Sequence, residues 1–134
     1  MSVEEMRVPI LNDVDVVVAR QKGRSLAAKL NFSLGDLALV ATAISEVARN
    51  ILLYAKQGEI ILRLVENSNR HGIMVIAWDE GPGIPDIALA MQDGYSTGGG
   101  LGVGLPGARR LMDEFAIESH LGKGTTVTMK KWAR

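Results

Sequence analysis

The sequence predicts an α+β fold: a two-layer sandwich of one mixed, mostly antiparallel sheet with helices on one face. Strand-like and helix-like segments are mixed without the strict βαβ alternation that a parallel sheet requires. Residues 59–65 and 73–78 are apolar runs separated by the polar turn 67–72, which predicts an antiparallel hairpin. The 134 residues are 47% apolar and 22% charged, so we expect a single domain over 1–134.

The first half of the chain is predicted to form one strand and two helices. Residues 6–11 contain Pro9, which favours an edge strand. Asn12 or Asp13 can cap a helix that runs to about residue 30. Residues 33–36 resemble a capping box for a second helix that runs to about residue 55. The apolar residues of this second helix recur at steps of three and four, which predicts one buried face: Leu37, Val40, Ala41, Ile44, Ala48, Ile51 and Ala55.

The second half is predicted to add a short helix, a longer helix and two strands to the hairpin. The short helix covers about residues 86–92, and residues 94–104 contain too much glycine for regular structure. A third long helix is expected over about 105–115 because its apolar residues keep helical spacing. The last two strands, 116–120 and 125–131, are joined by the turn 121–124.

Charge and composition exclude several classes of function. Lysine plus arginine and aspartate plus glutamate number 15 each, which gives no electrostatic reason to expect nucleic acid or an anionic membrane as a partner. The chain has no cysteine, which excludes disulfides, thiol catalysis and cysteine–zinc sites. No apolar run looks long enough to span a membrane and the first residues lack a signal-peptide pattern, so we expect a cytoplasmic protein.

Glycine is concentrated in one part of the chain. Nine of the fifteen glycines lie between Gly81 and Gly107, most of them within residues 79–85 and 98–107. Glycine costs chain entropy, so such clusters indicate backbone that approaches a ligand closely or adopts φ angles that other residues avoid. Loops of this kind suit phosphate groups, especially where a helix follows directly, as the predicted helix does here.

Two familiar glycine motifs do not fit their structural requirements. Residues 94–98 match the Gly-x-Ser-x-Gly pattern of hydrolases, but no strand is predicted before the serine and more glycine follows it. Residues 102–107 match a dinucleotide-binding fingerprint, but they neither follow a strand nor lie within a βαβ unit.

Glu46 and Asn50 form the most informative polar pair. They are four residues apart on the second helix, so they share a face, and the surrounding segment is otherwise mostly apolar. One interpretation is a solvated helix face. The other is a cleft in which the Asn50 carboxamide binds Mg²⁺ and the Glu46 carboxylate deprotonates a nucleophile aimed at a γ-phosphate.

Asp79 follows the apolar run 73–78 and precedes the first glycine turn. An aspartate in this place often only stabilises a turn. The functional interpretation is an acceptor for an exocyclic amine such as N6 of adenine.

The order of these features resembles the ATP-binding fold of the GHKL superfamily (the Bergerat fold), which gyrase, Hsp90 and histidine kinases share. Residues 46–50, 79–83, 100–105 and 124–127 look like its N box, its two glycine boxes and its late Gly-Thr pair. The resemblance implies Mg²⁺ and ATP, with Glu46 as the catalytic base, Asn50 as the metal ligand and Asp79 as the adenine reader. It also implies that Gly81 and Gly83 make room for adenine and Thr125 supports it, while the phosphates are cradled by Gly100, Gly102 and Gly104.

Within this superfamily, nearly the whole chain is similar to small bacterial serine/threonine kinases that regulate sigma factors, above all the stressosome switch kinases. The similar stretches include 42–50, 79–87 and 104–115; Leu101 departs from a threonine often found in the second glycine box. The resemblance implies phosphorylation of a STAS-domain partner, release from it, and activation of a PP2C-type phosphatase. An anti-sigma factor kinase and a non-catalytic, ATP-gated binding module remain alternatives.

Overall fold

The computed structural model of the chain describes residues 5–83, 91 and 104–133. It contains five strands and three helices within those ranges. In chain order these are β1 (Glu5–Ile10), α1 (Asp13–Ala27), α2 (Leu34–Tyr54), β2 (Gly58–Asn67), β3 (Arg70–Asp79), α3 (Gly104–Leu111), β4 (Glu114–His120) and β5 (Gly124–Trp132). The predicted short helix over 86–92 lies outside the described residues except for Met91.

The five strands form one sheet in the order β1-β2-β3-β5-β4, and every neighbouring pair is antiparallel. The predicted hairpin is β2–β3, in which Ile60 pairs with Ala77 and Leu62 with Val75. Pro9 lies in the edge strand β1, where a missing N–H is tolerated. The predicted α+β sandwich is confirmed, with a sheet that is antiparallel throughout the described residues.

The two long helices pack on one face of the sheet. Alternate residues of β3, Ile73, Val75 and Ala77, are buried against them, because successive side chains of a strand point to opposite faces. The Asn12 side chain caps α1 by accepting a hydrogen bond from the Asp15 N–H, as predicted. This helix ends at Ala27, three residues before the predicted end, and the chain continues as a turn.

The second helix, α2, begins and ends close to the predicted positions. The Ser33 hydroxyl accepts a hydrogen bond from the Asp36 N–H at 3.0 Å, which confirms the predicted cap. An 18-residue window within its 21 residues has a mean hydropathy of 1.4, so by length and composition alone the helix could cross a membrane, which the sequence analysis did not expect, but 56% of that window is buried inside the protein. Ten of its residues are buried, including Val40, Ile44 and Ile51. In this fold α2 is therefore the central core helix.

The third helix is shorter than the sequence predicted. Helix α3 ends at Leu111, and Phe115 belongs to β4, where it pairs with Met129. The prediction of a helix over 105–115 is wrong in its last turn. It relied on the helical spacing of Leu111, Met112 and Phe115, but the chain has already joined the sheet at Phe115. Lys131 fixes this end: its buried Nζ donates to the carbonyl oxygen of Leu111 at 2.9 Å.

Candidate functional site

The carboxylate of Asp79 lies at the end of β3 and is almost completely buried, with 6% of the residue exposed. Its Oδ1 accepts hydrogen bonds from the backbone N–H of Gly81 at 2.9 Å and of Thr125 at 3.3 Å. Burial raises the pKa of this carboxyl, and the two backbone donors oppose that shift without cancelling it. No described residue donates a hydrogen bond to Oδ2, which leaves this oxygen able to accept one from a ligand.

Protein atoms explain why the first turn after Asp79 needs glycine. A Cβ added at Gly81 would collide with the side chain of Ala55, just after α2. Gly83 has a φ of +85°, and a Cβ there would lie 2.6 Å from the carbonyl oxygen of His120. These glycines therefore allow the turn to pack between α2 and the end of β4. The predicted role of Gly81 and Gly83 in making room for adenine stays a prediction.

The β4–β5 turn holds this glycine turn in place. The Gly122 N–H donates to the carbonyl oxygen of Pro82 at 2.9 Å. The hydroxyl groups of Ser119 and Thr125 are 2.8 Å apart. Thr125 thus lies next to Asp79, to which its backbone N–H donates a hydrogen bond. Its predicted role in supporting adenine stays a prediction.

Gly124 belongs to the same site; the sequence interpretation included it in the late Gly-Thr pair but gave it no role of its own. Its φ is +104°, and a Cβ there would collide with the backbone carbonyl of Asp79. The strands β3 and β5 can approach this closely only with glycine at that position. A glycine just before the predicted Thr125 was the signal available in the sequence.

Glu46 and Asn50 lie one turn apart on α2, so the predicted pair is present on one helix face. Glu46 is only 6% exposed, and Asn50 is partly exposed. Arg49, which the sequence interpretation did not single out, donates from Nη1 to Oε2 of Glu46 at 3.3 Å. A charge-assisted hydrogen bond of this kind fixes the orientation of the carboxylate.

Gly104 is the first residue of α3 and has a φ of +67°, in the region that favours glycine. Helix α3 therefore begins within the second glycine cluster, one residue before its predicted start. Helix α3 packs against α2, which carries Glu46 and Asn50. Gly100 and Gly102 lie outside the described residues, so their predicted contacts with phosphates stay predictions.

The donor set fits a nucleotide-bound magnesium ion better than a protein-bound one. No cluster of three or more His, Cys, Asp or Glu side chains occurs among the described residues. A site with one protein ligand, such as the Asn50 carboxamide, suits Mg²⁺ because this ion keeps waters and phosphate oxygens as its other ligands. The unengaged Oδ2 of Asp79 suits an amine donor of the nucleotide.

Comparison with known proteins agrees with this geometry. Residues 35–133 match the family model described as histidine kinase-, DNA gyrase B-, and HSP90-like ATPase. The chain belongs to this ATPase family. The match covers α2, the first glycine turn, α3 and the Thr125 region, so all the predicted site residues lie within it.

Two curated relatives lie close to this chain in sequence. Serine/threonine-protein kinase RsbT of Bacillus subtilis is 52% identical over 127 residues, which cover 95% of this chain and 96% of the relative. The anti-sigma F factor of Caldanaerobacter subterraneus subsp. tengcongensis is 37% identical over 120 residues, or 85% of this chain and 82% of the relative. The predicted similarity to sigma-regulating kinases is confirmed.

Two solved structures share the fold of this chain. A crystal structure of the RsbU and RsbW domains of Rv1364c from Mycobacterium tuberculosis superposes with a TM-score of 0.62 at 21% identity. That comparison covers 98% of this chain but only 33% of the larger protein. The mycobacterial sensor histidine kinase MprB gives a TM-score of 0.58 at 17% identity, with 99% of both chains covered. At these identities the likeness concerns the fold.

Proposed function

We propose that this chain is a protein serine/threonine kinase that binds Mg·ATP and transfers the γ-phosphate to a hydroxyl on a STAS-domain partner. The observation that carries the proposal is the buried Glu46 carboxylate one turn before Asn50, since a protein that only binds ATP has no need of a base. The ATPase family and the 52% identity to a relative named as a serine/threonine kinase support it.

The adenine end of the nucleotide is assigned to Asp79 and Thr125. Oδ1 of Asp79 is already held by two backbone N–H groups, so the carboxylate has a fixed orientation. In our proposal Oδ2 accepts a hydrogen bond from N6 of adenine, a donor that guanine lacks at that position. Because Asp79 is buried, a base that cannot donate a hydrogen bond to it would bind with a less favourable free energy. The site would therefore select ATP over GTP.

The transfer step is assigned to the face of α2. The carboxylate of Glu46 takes the proton of the partner's hydroxyl, and the oxygen of that hydroxyl forms a bond to the γ-phosphorus. At the same time the bond between the γ-phosphorus and the β–γ bridging oxygen breaks, which releases ADP. Asn50 holds Mg²⁺, which neutralises charge on the phosphates. Arg49 keeps the Glu46 carboxylate oriented through the 3.3 Å hydrogen bond. Gly100, Gly102 and Gly104 are assigned to the phosphates.

The partners we propose follow from the similarity to RsbT and to anti-sigma F factors. The kinase binds an unphosphorylated STAS-domain protein, leaves it after phosphorylating it, and then activates a PP2C-type phosphatase. We propose that these exchanges take place in the cytoplasm and involve neither nucleic acid nor a membrane.

An anti-sigma factor kinase is the second candidate, favoured by the 37% identity to an anti-sigma F factor. Both candidates phosphorylate a protein and differ in whether the chain also binds a sigma factor. A co-purification with sigma factors would separate them, because only the second candidate retains one.

The proposed activity can be tested by incubating the purified chain with γ-labelled ATP, Mg²⁺ and a STAS-domain protein. We expect label on a serine or threonine of the partner, and none when EDTA is present. Nucleotide binding without any transfer would overturn the kinase assignment and favour the non-catalytic, ATP-gated module.

A further inference from the structure

The candidate nucleotide site gives helix α2 a direction. The turn that follows Asp79 packs against Ala55 at the C-terminal end of α2, where a Cβ on Gly81 would collide with the Ala55 side chain. Asn50 lies five residues before Ala55 and Glu46 nine residues before it, or about 7.5 Å and about 14 Å along the helix axis. A nucleotide bound as proposed therefore extends along α2 from adenine at the C-terminal end to the γ-phosphate near Glu46.

The geometry of phosphoryl transfer then fixes the side from which the substrate arrives. The attacking and leaving oxygens lie roughly in line on opposite sides of the transferred phosphorus. The leaving oxygen belongs to the nucleotide, which occupies the C-terminal side of Glu46, so the partner's hydroxyl has to arrive from the N-terminal side. Side chains of a helix also lean toward its N-terminus, which carries the Glu46 carboxylate in the same direction. The protein surface around the hydroxyl therefore meets the N-terminal half of α2.

The side of α2 that faces solvent in this half is formed by small and apolar residues. Leu39 lies seven residues before Glu46, about 10 Å along the axis and within about 20° of the same helix face. Leu39 is 36% exposed, and the nearby Ala38 and Thr42 are exposed as well. The adjacent Val40 is completely buried in the core, so these three residues lie on the opposite side of the helix. They are available to contact a partner whose hydroxyl approaches Glu46.

Leu53 is the counterpart of Leu39 on the other side of Glu46. It lies seven residues after Glu46, again about 10 Å along the axis and within about 20° of the same face, and it is 49% exposed. It also lies beyond Asn50, on the side that the nucleotide occupies. Two exposed leucines at equal distances from Glu46 therefore differ in position relative to the γ-phosphate, and Leu39 is the one on the side from which the hydroxyl arrives.

We propose that Ala38, Leu39 and Thr42, here called the acceptor surface, dock the STAS-domain protein that is to be phosphorylated, and that this protein presents an apolar side chain about 10 Å from its acceptor hydroxyl. The inference rests on the proposed function, since it names the substrate contact of the same site. Burial of the exposed part of Leu39 in the complex removes apolar area from water and so stabilises the complex. The acceptor surface thus sets the affinity for the protein substrate, whereas Asn50 and Asp79 act on the nucleotide.

The test compares the same exchange at the two leucines. Leu39→Gln removes apolar character, adds no charge near Glu46 and keeps a good helix former at that position. Leu53→Gln is the matched control on the nucleotide side. Leu39→Met keeps the apolar character and nearly the volume of the side chain, so it should behave as the wild type does. For the wild type and each full-length variant, steady-state phosphorylation of the STAS-domain protein gives KM and kcat, and calorimetry gives the affinity for Mg·ATP.

We expect Leu39→Gln to raise KM for the STAS-domain protein about three- to tenfold while kcat and the affinity for Mg·ATP stay close to wild type, because the lost contact is the same before and during transfer. Leu53→Gln and Leu39→Met should match the wild type in all these quantities. An unchanged KM in Leu39→Gln, an equal rise in Leu53→Gln, or a parallel loss of ATP affinity would overturn the inference and leave the kinase standing. A wild-type chain that binds Mg·ATP but phosphorylates no STAS-domain protein would remove the proposed function, and the inference with it.

Discussion

Thr125 donates its backbone N–H to Oδ1 of Asp79 at 3.3 Å across 46 residues of sequence. This hydrogen bond joins the end of β3 to the start of β5 at the point where both strands reach the candidate adenine site. One carboxylate oxygen is therefore committed to the fold, and the other is left for a ligand. Oδ1 of Asp79 therefore has a structural role, whereas the proposed contact with the nucleotide is made by Oδ2.

Asp79→Asn should test the binding part with little change in shape. Asparagine can still accept the two backbone hydrogen bonds on its oxygen, but its amide would place a donor against the adenine amine. An unmatched buried donor costs roughly 1–3 kcal/mol, so ATP affinity should fall several-fold or more. Calorimetry with ATP and GTP on both proteins measures this. Equal affinity of the wild type for the two nucleotides would count against Asp79 as the adenine reader.

The same variant should change how stability depends on pH. Burial raises the pKa of Asp79 in the folded chain, so between the unfolded value, about 3.9, and the folded value the folded state binds more protons. Stability must then fall as pH rises through that window, and Asp79→Asn removes this loss. Urea unfolding without nucleotide, from about pH 4 to 7, should show the variant gaining stability relative to wild type. A stability difference between the variant and the wild type that does not change with pH would contradict this prediction.

Glu46→Gln should separate chemistry from nucleotide binding. The amide keeps the size of the side chain but cannot take a proton from the partner's hydroxyl, and positioned bases typically contribute about 10²–10⁴-fold to rate. We expect ATP affinity close to wild type and a loss of transfer in that range. Glu66→Gln, at an exposed glutamate near the β2–β3 turn, serves as the control with unchanged activity. Wild-type phosphorylation rates in Glu46→Gln would rule out the proposed base.

Gly124→Ala and Gly122→Ala distinguish crowding from backbone conformation. Both glycines have positive φ, +104° and +78°. A Cβ at Gly124 would collide with Asp79, whereas no atom of the described residues lies within 4 Å of one at Gly122. Gly122→Ala should therefore cost about 1–2 kcal/mol, the cost of a left-handed residue with a Cβ. Gly124→Ala should cost more and also weaken ATP binding, because Asp79 has to move. Urea unfolding and calorimetry give both quantities, and equal stability losses would refute the proposed crowding.

Features that repeat along the sequence could be predicted, and features that depend on a distant neighbour could not. The β2–β3 hairpin and the buried face of α2 follow from periods of two and of three to four residues, and Glu46 with Asn50 follows from helical spacing. The need for Gly81 comes from Ala55, and the need for Gly124 comes from Asp79, so neither is visible locally. The position of Phe115 is compatible with both helical and strand periodicity, and only its pairing with Met129 shows that it belongs to a strand.

The last prediction concerns how the kinase leaves its substrate. A phosphorylated serine or threonine carries nearly two negative charges, and in the proposed complex it faces the carboxylate of Glu46. Arg49 offsets part of this repulsion: it is 54% exposed and already hydrogen bonded to Glu46. We expect the chain to bind the unmodified STAS partner measurably and the phosphorylated or Asp-substituted partner much more weakly. Arg49→Ala should widen this difference, because it removes a positive charge that is hydrogen bonded to Glu46. A pull-down with both partner forms checks the switch; equal retention of the two by the wild type would refute it and leave the kinase assignment standing.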